Sequence, residues 1–218
     1  MNARPAGELQ EAPVTAAASG PEPSQIGARL RAQREARGLS LREVGRRVGV
    51  SASLVSMIER DKVNPSVSTL WSLVTELGLT MGDLFAIEAP GPSPAPVAES
   101  GPIVAPGRRA TINLASGVTW ERLTATSDPN VEFLRVVYAA GSESCPEDSL
   151  VHHGGTEYGY VISGRLGVRV GFDEYVLGPG YSISFSASSP HRLWAIGSEP
   201  AEVIWAVAGR QGDKRAER

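Results

Sequence analysis

The chain of 218 residues is 41% hydrophobic and 21% charged, which is typical of ordinary globular domains. Its formal net charge of −3 excludes a chain-wide basic excess, and its single cysteine excludes an intrachain disulfide framework and favours a reducing compartment. No run approaches the roughly 18 apolar residues of a membrane span, and residues 1–24 lack the apolar core of a signal peptide, so we predict a cytoplasmic protein without membrane contact.

Two stretches of low complexity divide the chain. Residues 1–24 are rich in Ala, Pro, Glu and Ser, and they predict a disordered tail because they cannot bury enough apolar surface. Residues 89–104 include a proline-rich run, which predicts a stiff and extended linker. Two ordered regions remain, 25–88 and 105–210, and the polar residues 211–218 predict a flexible tail.

Apolar residues of the first ordered region recur at helical spacing and predict five short helices. A serine or threonine that can cap a helix stands before the second, third, fourth and fifth of them. Only Gly49, Val50 and Ser51 separate the second helix from the third, which is typical of a helix-turn-helix. The predicted helices are Ile26 to Ala36, Leu41 to Val48, Ala52 to Arg60, Val67 to Leu77, and a short turn ending at Phe85.

The third helix has one apolar face and one face of small side chains. Leu54, Val55 and Ile58 predict the buried face, so the opposite face is free to enter a DNA major groove. Residues 29–62 hold nine Arg or Lys and four Asp or Glu, a local basic excess in an acidic chain. An interaction module with a solvated basic face is the alternative. The predicted DNA-contacting residues are Arg42, Ser51, Ala52, Ser53, Ser56, Met57 and Lys62, with Arg46 and Arg47 as further phosphate contacts.

These residues carry a resemblance to a known family. The segment from Arg29 to Leu70 resembles XRE-type, or phage-repressor-like, helix-turn-helix domains, which implies that the third helix is the recognition helix and that Arg34 pairs with Glu59. Two positions depart from the family pattern. We expect Asp61, where Gly is common, to keep the left-handed turn, and Gly45, where Ala is usual, to loosen its helix by roughly 1 kcal/mol. The matching landmarks are Arg34, Gly38, Ser40, Gly49, Ser51, Ser56, Ile58, Glu59, Pro65 and Ser66.

The pattern of the second ordered region predicts many short strands. β-branched and aromatic segments are broken by Gly, Pro, Ser and Asp about every 8–12 residues, which predicts an antiparallel sandwich or barrel. The stretches HHGGTEYGYVISG and LGPGYSISFSASSPHRLWAIG resemble the two motifs of the cupin family, an all-β, double-stranded barrel. The matching residues are His153, Glu157 and Gly164 in the first motif, and Gly178, Gly180, Pro190 and His191 in the second.

The cupin resemblance implies a site inside the barrel. His153, Glu157 and His191 would converge there as two imidazoles and a carboxylate, which suit a divalent ion such as Zn, Mn, Fe or Ni. Val151 stands where the family has its first histidine, so the set is one ligand short of a catalytic cupin, and no catalytic residue is predicted. The alternative is that the same side chains form hydrogen bonds without an ion. A small-molecule effector pocket is predicted at this set together with Tyr160.

The order of the two domains resembles a class of bacterial transcription regulators. It implies a sequence-specific regulator that binds an operator in double-stranded DNA, and a repressor is favoured over an activator. The cupin domain would bind a small-molecule effector and mediate formation of a homodimer. A metal-dependent cupin enzyme with an accessory helical domain is the alternative from another class. The third interpretation is a protein-interaction adaptor, which would have no affinity for DNA.

Overall fold

The computed structural model describes residues 26–85, 102–128 and 130–209. The predicted tails and most of the predicted linker lie outside these residues. Within the described ranges, no helix has the length and apolar character that crossing a bilayer requires.

Five helices form the first domain, as predicted. The hydroxyls of Ser40, Ser51 and Ser66 each accept a hydrogen bond of 3.1 Å from the backbone N–H three residues further on, which satisfies one free donor of each helix start. The third helix ends one residue earlier than predicted, because Arg60 takes the capping position after it. The helices are α1 (Ile26–Ala36), α2 (Leu41–Val48), α3 (Ala52–Glu59), α4 (Val67–Leu77) and α5 (Met81–Leu84).

A buried ion pair ties α1 to α3. The Nε and Nη2 atoms of Arg34 donate to the two carboxylate oxygens of Glu59 at 2.6 and 2.8 Å, and its Nη1 donates to the carbonyl of Leu39 at 2.9 Å. The hydrogen bond to Glu59 raises the pKa of Arg34 above its ordinary value. The pair implied by the family resemblance is confirmed, and its fork geometry leaves neither charge without a partner.

The two departures from the helix-turn-helix pattern both have packing roles. Asp61 has a positive φ of 51°, as expected, and its carboxylate also accepts a 3.0 Å hydrogen bond from the backbone of Gly27 in the first turn of α1. A Cβ on Gly45 would lie 2.6 Å from the carbonyl oxygen of Val50. Gly45 therefore allows the close approach of the turn to α2, a role that helix propensity alone does not predict.

The second domain is built from antiparallel strands in two sheets, which confirms the predicted cupin-like architecture. The larger sheet has the order β1-β2-β3-β9-β4-β7, and the smaller has the order β6-β5-β8. The strands are β1 (Thr111–Asn113), β2 (Val118–Arg122), β3 (Val131–Tyr138), β4 (Thr156–Ser163), β5 (Leu166–Val170), β6 (Asp173–Leu177), β7 (Ser182–Ser186), β8 (His191–Ala195) and β9 (Ala201–Ala208).

The two domains pack against each other, which the composition of the linker did not predict. The backbone N–H of Ala115 donates to the carbonyl of Pro65 at 2.9 Å. The guanidinium of Arg122 lies over the ring of Phe85, 5.9 Å from its centroid. One continuous cluster of buried apolar side chains includes residues of both domains. Movement of one domain against the other must therefore rearrange specific contacts.

Candidate DNA-binding surface and metal site

Helix α3 presents the predicted small face to solvent. Val55 and Ile58 are buried in the domain core, while Ser53 on the first turn is exposed and Ser51 caps that turn. Ser56, like Ala52 and Met57, is partly exposed beside them. The exposed side chains at the start of α3 are short, so the backbone of this turn can come close to base edges.

Basic residues flank this face and differ in their surroundings. Arg42, Arg46 and Lys62 are exposed, and within the described part of the chain their charged groups have no hydrogen-bonding partner, so they are available to phosphates. Arg47 is different, because it forms ion pairs with Glu43 on its own helix and with Glu76 on α4, the latter at 2.7 Å. The contact of Arg47 with DNA phosphates stays a prediction, in which phosphates would compete with these two carboxylates.

The three predicted metal ligands come together inside the barrel. Glu157 lies on β4 and His191 begins β8, while His153 lies in the loop before β4. The Nε2 atoms of His153 and His191 lie 2.7 and 3.4 Å from the same carboxylate oxygen of Glu157. One ligand atom from each residue falls within 4.8 Å of the others. The three side chains are only 8%, 4% and 2% exposed for His153, Glu157 and His191, respectively. We call these three residues the triad.

The hydrogen bonds around the triad determine which atoms face its centre. The Nδ1 atoms of His153 and His191 lie 3.0 and 2.9 Å from the carbonyl oxygens of Gly154 and Ser189. A carbonyl can only accept, so each Nδ1 carries a hydrogen and each ring turns its Nε2 toward Glu157. A proton on Nε2 lets a ring donate to the carboxylate, and the loss of that proton frees the Nε2 lone pair for a metal ion. The donor set therefore fits a divalent ion, whose imidazole ligands are oriented by backbone carbonyls.

The carboxylate of Glu157 is held on its other side by an aromatic residue. The indole N–H of Trp205 on β9 donates to Glu157 at 3.0 Å, and its ring lies directly over Gly159, where a Cβ would come within 2.1 Å of it. Burial alone would raise the pKa of Glu157, but hydrogen bonds and charge from the two histidines lower it to about 2. Burial opposes the charged form of His191, yet Glu157 raises the pKa of that ring above its ordinary value.

Strand alternation corrects one predicted pocket residue. Glu157, Gly159 and Val161 of β4 face the interior, so Tyr158 and Tyr160 face outward, and Tyr160 is 46% exposed. The prediction that Tyr160 lines the effector pocket is wrong, because it lies an odd number of residues from Glu157. Trp205, which pairs with Gly159 across the sheet, is an aromatic residue that contacts the triad.

A cleft of about 350 Å³ lies between the two domains. One wall is α4, with Ser72 and Trp71, and the other is the loop of residues 149–153, which includes His152 and His153. His152 is exposed. The cleft falls within the size range of small-molecule sites, roughly 300–1,000 Å³. His153 is the triad residue that lines this cleft.

Comparison with known proteins bears on both domains. Residues 30–84 match the family described as helix-turn-helix, and residues 134–207 match the cupin domain family. The chain joins an XRE-type helix-turn-helix domain to a cupin domain. Within these two domains lie the exposed face of α3 and the triad, respectively.

Relatives share this helix-turn-helix and cupin arrangement. The chain is 27% identical to the HTH-type transcriptional regulator PuuR of Escherichia coli over 165 residues, which are 76% of this chain and 84% of that protein. It is 26% identical over 166 residues to SutR of the same organism, covering 74% and 82%. A solved structure of an HTH_3 family transcriptional regulator from Vibrio cholerae has 26% identity and a TM-score of 0.60 over 85% of this chain and 95% of that one. These matches confirm the predicted domain order and support the predicted class, a DNA-binding transcription regulator.

Proposed function

We propose that this protein is a repressor that reads an operator in double-stranded DNA with α3 and that its cupin domain controls this binding. The observation that carries the proposal is the exposed start of α3, flanked by the exposed charges of Arg42, Arg46 and Lys62. Phosphate contacts from these charges would make binding weaken steeply as salt concentration rises. The predicted cytoplasmic location stays a prediction.

An exposed apolar face supports the proposal of a homodimer. Phe133 and Tyr158 both stand opposite Ala206, on either side of β9, and Tyr160 stands opposite Ile204 in the next row. Phe133, Tyr158 and Tyr160 are 39%, 49% and 46% exposed. A helix-turn-helix of this size reaches only one half-site, so a second copy on this face would supply the other. A patch of large apolar side chains on a sheet face is typical of an interaction surface.

A pair of tyrosine variants tests the dimer. Tyr160→Arg is expected to convert the protein to a monomer, because it replaces an exposed aromatic side chain of the apolar face with a charge. Tyr175→Arg is the matched control, since Tyr175 is 45% exposed but lies on β6 of the smaller sheet. Light scattering coupled to size-exclusion chromatography measures the mass of each. A monomeric wild-type chain, or a Tyr160→Arg variant that remains a dimer, would rule out this face.

Metal binding by the triad is the second part of the proposal. A divalent ion held there would offset the negative charge of Glu157, which two neutral imidazoles cannot do. The hydrogen bond from Trp205 would fix the orientation of the carboxylate. The triad side chains are at most 8% exposed, which suits a bound ion better than turnover of an organic substrate. The enzyme alternative would need a path for the substrate to the ion, and the cupin domain is better explained as a binding module.

Adjacent histidines provide a sharp test of the metal site. His153→Ala is expected to lower the affinity for Zn²⁺ or Mn²⁺ by about 100-fold or more, because it removes a ligand, whereas the loss of an outer contact costs about 10–100-fold. His152→Ala should leave the affinity unchanged, since His152 is exposed outside the barrel. Isothermal titration calorimetry on the metal-free protein measures both. Equal affinities in the two variants would contradict the proposed site.

A further inference from the structure

An aromatic residue of the helix-turn-helix domain rests directly on the triad. Trp71 is on α4, and its ring stacks on the imidazole of His153 with the centroids 4.8 Å apart and the planes 23° from parallel. On the cupin side, Trp71 also meets Trp120 of β2, with 5.9 Å between the ring centroids. A side chain of the DNA-binding domain therefore packs flat against one of the three residues that would hold the ion.

His153 is the triad member best able to move. Glu157 and His191 lie on strands, and Trp205 fixes the carboxylate of Glu157 in the barrel interior. His153 lies in a loop, and apart from Glu157 its side-chain hydrogen bond is to the carbonyl of the next residue, Gly154. The ligands of an ion repel each other and stand further apart than the partners of a 2.7 Å hydrogen bond. Ion binding must therefore shift the ring of His153 relative to Glu157, and with it the contact between this ring and Trp71.

The backbone at Trp71 cannot move without the rest of its domain. Leu70, Leu73 and Val74 of the same helix are at most 1% exposed and belong to the core. The amide of Gln33 on α1 donates to the carbonyl of Leu77 at 3.1 Å, and Arg47 on α2 pairs with Glu76, so α4 is tied to both neighbouring helices. A displacement of α4 at Trp71 therefore moves the whole helix-turn-helix domain, including α3.

The surroundings of Trp71 allow such a displacement. The cleft of about 350 Å³ adjoins its ring on the side of Ser72 and His152, so the two walls can approach or separate. Elsewhere in the domain interface, the hydrogen bond of Ala115 with Pro65 provides a second point of attachment. The domain can therefore tilt about that attachment when the ring of His153 shifts.

We propose that the effector is the divalent metal ion itself, and that Trp71 transmits its binding at the triad to the DNA-binding domain. The inference rests on the proposed function, namely DNA binding through α3 and ion binding by the triad. The ion changes DNA affinity because it favours one orientation of the two domains over another, and only one orientation in a dimer matches the spacing of two half-sites. Trp71 is a coupling residue and contacts neither the ion nor the DNA.

The experiment measures DNA affinity with and without the ion. A labelled duplex selected by the wild-type chain from a random pool is titrated by fluorescence anisotropy with protein that has been treated with a chelator or loaded with Zn²⁺ or Mn²⁺. Wild-type affinities in the two states are expected to differ by about 5–150-fold, the usual range of coupling between two sites. Trp71→Ala should bind both the ion and DNA but reduce the difference to less than about twofold, and Trp71→Phe, which retains a stacking ring, should restore most of it.

Arg122→Gln is the matched control, because it removes a different contact between the domains and leaves the ring of His153 untouched. It should retain the coupling of the wild type. Full coupling in Trp71→Ala, or its loss in both variants alike, would overturn the role of Trp71. A wild-type chain that binds ion and DNA independently would overturn the inference but leave the proposed function standing. Absence of DNA binding, or of ion binding in calorimetry, would instead contradict the proposed function.

Discussion

Replacing Ser53 with glutamate is expected to lower the affinity for specific DNA by about 100-fold while leaving the fold intact. Ser53 is exposed on the first turn of α3, so the longer side chain meets no packing restriction in the free protein. In the complex, the carboxylate would face the phosphates and base edges of the groove. The affinity is measured by fluorescence anisotropy, and helical content by circular dichroism.

A second serine serves as the control for this change. Ser198 is exposed in the turn between β8 and β9 of the cupin domain, and Ser198→Glu adds the same charge far from α3. It should reduce affinity only slightly, through the change in net charge, and this reduction should disappear at higher salt. If Ser53→Glu binds DNA as tightly as Ser198→Glu, α3 is not the recognition helix.

Removing the charge of Glu59 is expected to reduce the free energy of unfolding by about 3–5 kcal/mol, a large part of the 5–15 kcal/mol typical of a domain. Glu59→Gln leaves the guanidinium of Arg34 buried without its carboxylate. The side chain of Arg34 is only 11% exposed and that of Glu59 only 5%. The cost arises from the unpaired charge, so the double variant Arg34→Met with Glu59→Leu should regain much of the loss. Urea denaturation followed by circular dichroism measures each variant.

Glu35, a second carboxylate beside Arg34, provides the comparison. Its carboxylate lies 3.4 Å from the same arginine, but its side chain is 51% exposed and it also pairs with Arg31. Glu35→Gln is therefore expected to leave the denaturation midpoint nearly unchanged, since water replaces the lost contact. Similar midpoints for Glu59→Gln and Glu35→Gln would show that burial does not control the strength of this pair.

Local patterns were sufficient to predict the elements. The caps at Ser40, Ser51 and Ser66 depend on neighbouring residues alone, and the helix starts fell where these caps stand. The triad could be located because two motifs at a fixed order place His153, Glu157 and His191 in one interior, which the structure shows within 4.8 Å. Both results need only short-range chemistry or a family resemblance.

Contacts between distant segments could not be predicted in the same way. Helical spacing placed Trp71 on α4, but its stacking on His153 depends on how the domains dock, which no local pattern specifies. The sequence does not distinguish Arg47 from the other basic residues near α3. Its ion pair with Glu76 depends on the packing of α2 on α4. Tyr160 is the exception, because alternation from Glu157 already indicated an outward side chain.

Genome-wide recovery of bound DNA tests whether this chain is a regulator that reads DNA through α3. Wild-type protein and the Ser53→Glu variant are crosslinked to DNA in cells of the source organism, and the recovered fragments are sequenced. We expect a small set of discrete sites, enriched near promoters and containing a paired motif, that disappears in the variant. No enrichment for the wild type, or the same sites recovered with Ser53→Glu, would contradict it.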